Sequence, residues 1–493
     1  MIIVIVAAAA CVLLMGDDDD DDSSTSSSSS STEQDASENL AALDELLAEM
    51  SDETADYPTR LMILGNANLD DVLDTEDLEV ILDYIGSGYN YVDAYFADAN
   101  YDGLINEDDY EIVEQMIEYT QDVVYYLNVD YQIASYNTSY PLHTANILTQ
   151  TLECLILLAP SSVVATDQRC EYESSMGSFY TEYEYILDYD NLGSIGSHKT
   201  PNIEDYAEVA QTYGDGYLTV WMNSSAAYGT DYLEAQADEY EGIQLLRLPS
   251  WENGSCTNGL LTAGYLFYRA TADSADGDSW TNAVEYVAYY DEQMDTIDEK
   301  IATLDDDDKQ KVVVTWVNSW TGSTETEYSL LYKGSGEYYS LLRMGVEDVT
   351  AEWMEYTGQS NYYITMTQED MAELYQQFGI DLIIGTIAAP YNATADDMID
   401  SYTYRGDQVS ALDGTDIIIT GWIYGSGPAE FIFCYLIGYY MYPDLFSLDE
   451  VEEVVNGFLQ IFGTYGTDET GQWTFDTLNL LYCGEDSPYN IMA

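Results

Sequence analysis

Two twelve-residue stretches concentrate oxygen-bearing side chains at matched spacing, and they start 32 positions apart. The first puts Asn66, Asn68, Asp70, Asp74 and Asp77 at loop positions 1, 3, 5, 9 and 12. The second puts Asp98, Asn100, Asp102, Asn106 and Asp109 at the same positions. A hard cation such as Ca²⁺ takes about six to eight oxygens at short range, and one tight loop of this spacing supplies them. Each loop leads into an apolar helical pattern: Leu78, Val80, Ile81, Tyr84 and Ile85, then Tyr110, Ile112, Val113, Met116 and Ile117. Gly103 stands at position 6 of the second loop, where the backbone must turn sharply. The first loop has Asp71 there and neutral Asn66 at position 1, so it is the weaker site. The plain alternative is two acidic turns in a very acidic chain.

That acidity is extreme: 92 acidic residues against 11 basic ones, a net charge of -81. Nucleic acid is excluded as a partner, because phosphate binding needs basic patches. Such a chain repels itself unless salt or divalent cations screen it, which suits a cell-surface setting. An apolar content of 46% over 493 residues is enough for several packed domains.

The chain opens with an apolar run, Ile2 to Met15, followed by Asp17 to Asp22 and Ser23 to Ser31. The run is shorter than the roughly 20 residues that span a bilayer, and no basic residue precedes it. Residues 1–16 read as a membrane anchor or signal segment and 17–56 as an Asp/Ser-rich solvated tether. The bulk is then extracellular. Four Asn-x-Ser/Thr sequons, at Asn137, Asn223, Asn253 and Asn392, are compatible with that side. Six cysteines show no CxxC or zinc spacing; Cys154 and Cys170 either pair or remain buried thiols. With His143 and His198 as the sole histidines, a multi-histidine metal centre is improbable.

Residues 57–125 form the all-α paired-loop module. Beyond them, short apolar β-rich runs alternate with amphipathic stretches. Strands are predicted at 162–166, 217–221, 243–246, 312–316, 380–384 and 416–420; helices at 146–158, 203–211 and 371–378. Between the two sets of three strands lies a long helical pattern, 279–304, with Ala283, Val287, Tyr290, Met294, Ile297 and Ile301 at three-to-four spacing. The fold class is α/β: two Rossmann-like lobes, 126–278 and 306–493, joined by a backbone helix, 279–305.

This order resembles the metal-chelate class of ABC-transporter substrate-binding proteins, which bind siderophores, cobalamin or heme between two lobes. Pro201-Asn202-Ile203-Glu204 with Asp215 to Val220 is similar to one family segment, although Asp-Gly replaces the family Pro-Asp. Thr367 to Asp370 with Phe378 to Ile384 is similar to its counterpart in the second lobe. Asp416 to Pro428, then Tyr442-Pro443-Asp444-Leu445-Phe446, is similar to the family's C-terminal strand, small-residue turn and helix end. The paired loops resemble a type I dockerin, with Asn66 in place of that family's first Asp; this implies Ca²⁺ and, as one option, a cohesin-like partner. A calcium-stabilised spacer is the other option.

In open α/β sheets a ligand sits beyond the carboxyl ends of the strands. That rule selects Asp167, Arg169, His198, Lys199, Trp221 and Asn223 in the first lobe, and Trp316, Asn318, Trp320, Trp422 and Tyr424 in the second. Arg169 and Lys199 would attract an anionic chelate, or simply pair with nearby acids. The tryptophans would offer flat faces to a ring-like ligand, or belong to the core. Among family members an acid on each lobe meets arginines of the permease, and Glu369 fits that position. No GxSxG, phosphate-binding Gly-rich loop or HExxH is present, so a non-enzyme is expected. The rival to a solute-binding role is a calcium-dependent adhesion or scaffold protein.

Overall fold

The computed structural model describes residues 29–53, 56–168, 191–225, 229–251, 255–305, 309–316, 328–331, 336–358, 363–387, 415–421, 425–461 and 481–482. A helix stands where a solvated tether is expected. Helix α1 (Ser29–Glu53) buries Leu43 and Leu47 against the paired-loop module. Leu40, Leu43, Leu46, Leu47 and Met50 recur at helical spacing, and burying that stripe outweighs the solvation of the intervening acids.

The module itself holds α2 (Thr75–Gly86), α3 (Tyr91–Ala94) and α4 (Glu107–Ile117). Its chain continues into a hairpin, β1 (Val123–Leu127) antiparallel to β2 (Ile133–Asn137), and Ile63 bridges back to Tyr126. That bridge stitches the module to the hairpin.

The first lobe is a five-stranded sheet: β3 (Thr144–Asn146), β4 (Val163–Thr166), β5 (Gly193–Ser194), β6 (Leu218–Met222) and β7 (Ile243–Arg247). Their order is β5-β4-β3-β6-β7, parallel throughout. Helices α5 (Thr149–Leu158), α6 (Ile203–Tyr213) and α7 (Tyr232–Ala237) connect the strands, and α8 (Cys256–Thr271) comes after the last of them.

Helix α9 (Ser279–Ile301) is the long connecting element. Asp278 caps its start, accepting from the Thr281 amide at 2.8 Å. It buries Ala283, Tyr286, Val287, Tyr290, Met294 and Ile297, and it lies so close to α8 that a Cβ on Gly264 would sit 2.5 Å from the Ala283 Cβ.

The second lobe contains β8 (Lys311–Trp316), β9 (Tyr328–Leu331), α10 (Gly336–Arg343), β10 (Glu347–Asp348), α11 (Val349–Thr357), β11 (Tyr363–Met366), α12 (Gln368–Phe378) and β12 (Leu382–Ile387). It ends with β13 (Asp416–Gly421), α13 (Glu430–Met441), α14 (Leu448–Ile461) and β14 (Leu481–Tyr482). The sheet order is β11-β9-β8-β12-β13-β14, with β10 beside β8. Strands β8, β12 and β13 run parallel, whereas β9, β11 and β14 join antiparallel, so this sheet is mixed rather than purely parallel. One continuous hydrophobic cluster links Leu43 and Leu61 of the N-terminal region to Phe267, Tyr286, Phe431 and Phe458.

Candidate functional site

Two lobes meet along a seam built from segments just beyond strand ends. Gln150 lies four residues past β3, Ser426 five residues past β13, and the Gln150 side-chain amide donates to the Ser426 hydroxyl at 3.0 Å. The Tyr286 hydroxyl donates to the Pro428 carbonyl, and that of Tyr290 to the Glu430 carboxylate. Glu430 is buried, and burial pushes its carboxyl up to about 7, with the Tyr290 hydrogen bond opposing the rise. Nothing in the sequence around Gln150 hints at this role; the small-residue turn before Pro428 does.

The expected ligand residues of the first lobe fall into different settings. Asp167 is wholly buried, and its carboxylate accepts from the Leu148 amide at 2.6 Å at the entry to α5. His198 is buried and Lys199 exposed, the latter without an ion pair among the described residues. Asn223 is 2% exposed; its side-chain amide has no hydrogen-bond partner among the described residues. Trp221 is corrected: it is wholly buried, its indole N–H donates to the Leu248 carbonyl at 3.1 Å, and its ring packs edge-on to Phe267. Enclosed in this way, it is a core residue.

Arg247, not anticipated from sequence, ends β7 almost fully buried. It pairs with Glu234 and donates to the Asn223 carbonyl at 2.9 Å and the Thr230 hydroxyl at 3.0 Å. The rarity of arginine in so acidic a chain is the signal that could have found it. In the second lobe Trp316 is the last residue of β8 and Glu369 is exposed in the first turn of α12. Arg169, Asn318, Trp320, Trp422 and Tyr424 lie outside the described residues, as do the side chain of Trp316 and the apolar segment 1–16.

The paired loops have closely matching backbones. Leu69 and Tyr101, each at loop position 4, adopt φ of 61° and 55°. In the second loop, Asp98 accepts from the amides of Asp102 (3.1 Å) and Gly103 (2.8 Å) and from the Tyr91 hydroxyl (2.5 Å). Asp109 accepts from the amides of Asn100 and Asn106, so the position-12 carboxylate also closes the capping box of α4. Gly103 has φ +87°, and a Cβ there would strike the Ala36 carbonyl oxygen of α1 at 2.4 Å. Burial raises Asp98 to about 6 and Asp109 to about 7. In the first loop Asp77 plays the same capping role and rises to about 6 by burial. The Asn66 amide nitrogen donates to the Leu61 and Asp70 carbonyls at 2.9 and 2.8 Å, which leaves its side-chain oxygen buried without a partner. Among the described residues no three Asp, Glu, His or Cys side chains converge on a metal position, so any cation here depends on amide and main-chain oxygens as well.

No protein-family model matches the chain, and no curated protein matches it. Solved structures do. A periplasmic solute-binding protein of Veillonella parvula is 14% identical with a TM-score of 0.50, covering 71% of this chain and 95% of its own. The TroA-like periplasmic binding protein FepB of the same organism is 11% identical, also with a TM-score of 0.50, covering 69% and 95%. Likeness at this identity defines the fold: that of periplasmic solute-binding proteins. Both neighbours are binding proteins. Among the described residues no helix is long and apolar enough to cross a membrane.

Proposed function

We propose that this chain is an extracellular, membrane-tethered solute-binding protein that delivers a metal chelate, such as a ferric siderophore, cobalamin or heme, to an ABC importer. One observation carries the reading. Segments just past parallel strands of two separate sheets meet at Gln150 and Ser426, beside a single helix that joins the lobes. Ligands of open α/β sheets bind at such carboxyl ends. Lys199, Arg169 and Asn223 would contact the ligand from the first lobe, and Trp316, Asn318, Trp320, Trp422 and Tyr424 from the second. Glu369, exposed on α12, would meet the permease.

The paired loops are read as a Ca²⁺ module. Asp98, Asn100, Asp102, Asn106 and Asp109 would hold one ion; Asn66, Asn68, Asp70, Asp74 and Asp77 would hold a second, more weakly. The buried, mutually repelling Asp98 and Asp109 and the unpartnered Asn66 oxygen fit a cation. Bound calcium would neutralise these carboxylates and fix the loops.

The rival is a calcium-dependent adhesion or scaffold protein that docks a cohesin-like partner. Against it stands the packing of the module into the same core as α8 and α9, including the Tyr265 hydroxyl bond to the Met116 carbonyl at 2.7 Å. This supports an integral module. A thermal-shift screen of the full chain against ferric siderophores, cobalamins and heme tests the proposal. A saturable rise with one class supports solute binding; no response across the panel favours the scaffold reading.

A further inference from the structure

A cavity of about 560 Å³ opens where the paired-loop module, α8, α9 and α10 meet; it shares Tyr290 with the lobe seam but is lined by neither Gln150 nor Ser426. Its inner wall is neutral. Thr257 and Asn258, in the first turn of α8, are 6% and 9% exposed, and the Asn258 side-chain amide has no hydrogen-bond partner among the described residues. The amide keeps contact with the cavity and is free to pair with what enters it.

The rim carries charge of uneven sign. Arg60 is engaged by Asp291 at 2.6 Å and Asp71 at 3.7 Å, and Arg343 by Asp298 at 3.0 Å. Asp56 and Asp295 line the same cavity, are exposed, and have no ion pair among the described residues. Two uncompensated carboxylates on the rim select a cation. No metal cluster forms among the described residues, and the volume is far beyond that of a bare ion. Tyr57, Leu69 and Met294 supply apolar and aromatic wall between the charges, suited to a methylene chain and to cation–π contact.

We propose that this cavity binds a small organic polycation of the diamine or polyamine class. Its ammonium groups pair with Asp56 and Asp295, and one N–H donates to the Asn258 side-chain oxygen. The cavity shares none of the residues proposed to contact the chelate, so its occupancy does not depend on the importer reading.

Calorimetric titration of the full chain with spermidine tests this, in about 0.3 M salt so that diffuse attraction to a polyanion is screened to roughly 5–6 Å. One saturable site per chain is expected. Asp56→Asn with Asp295→Asn should weaken it at least tenfold. Asn258→Leu, which fills the inner wall, should abolish it. If Asn258→Leu does not fold, the double surface variant decides alone. Absence of saturable heat, or affinity unchanged in the double variant, overturns the proposal.

Discussion

Arg60 of the paired-loop module donates to the Asp291 carboxylate of the long helix α9 at 2.6 Å, and the same guanidinium lies 3.7 Å from Asp71. Asp71 occupies loop position 6, where a calcium loop ordinarily carries glycine. The departure from pattern thus has a structural use: it ties the first loop to the element that joins the lobes. Thr262 extends the attachment, accepting from the Met62 amide at 3.0 Å.

Replacing Arg60 by Ala should loosen that attachment modestly. Its side chain is 37% exposed, so solvent screens the pair, and a loss of about 0.5–1 kcal/mol is expected. Thermal unfolding of the variant checks it; a large loss would mean that the contact matters more than screened electrostatics allow.

Helix α1 gives a sharper contrast. Leu43 is fully buried, so Leu43→Ala should cost about 2–5 kcal/mol through lost transfer energy and the cavity left behind. A solvated tether would lose nothing. Denaturant unfolding of the full chain distinguishes the two.

Glu430 should make stability depend on pH. Its folded pKa, about 7, lies above the ordinary carboxyl value of 4.5, mainly because burial penalises the charge. The stabilisation from the neutral form is complete below the ordinary value and is lost as pH rises through about 7. Glu430→Gln cannot ionise and keeps an acceptor for Tyr290. Relative to the native chain, it should therefore gain up to roughly 3 kcal/mol between pH 5 and 8. Parallel melting curves at the two pH values read this; equal shifts in both proteins would contradict it.

Removing calcium should lower the melting temperature of the full chain, and Asp98→Ala with Asp109→Ala should abolish that response. Elemental analysis after dialysis should find the metal retained by the native chain. An unchanged midpoint under chelation together with no retained calcium would remove the claim.

The six longest parallel strands were legible because apolar runs such as Val312–Val314 and Ile417–Ile419 are continuous, and α9 because its stripe is regular. The central strand β3 was not. Thr144–Asn146 is three residues long and lacks an apolar run. Helices α8 and α13 are buried on nearly all sides, so neither shows a clean polar face by which a helical period is recognised. Helix α1 was obscured by the acidic and serine-rich composition around its leucines. At the candidate site, strand ends could be named but not their environments. Trp221 and Asn223 are two positions apart in sequence, yet one is a satisfied core ring and the other a buried amide without a partner among the described residues. The inter-lobe pair Gln150–Ser426 joins residues 276 positions apart and has no local signature.

The central claim is that a chelate binds between the lobes at the strand ends. Calorimetric titration of the ferric siderophore, cobalamin or heme found by the thermal screen tests it, comparing the native chain with Lys199→Ala/Arg169→Ala. One saturable site in the native chain, weakened at least tenfold in a variant that still folds, is expected; about 1.4 kcal/mol corresponds to that factor. Binding of undiminished affinity in the variant would contradict the site, and absence of saturable binding by every chelate would contradict the function.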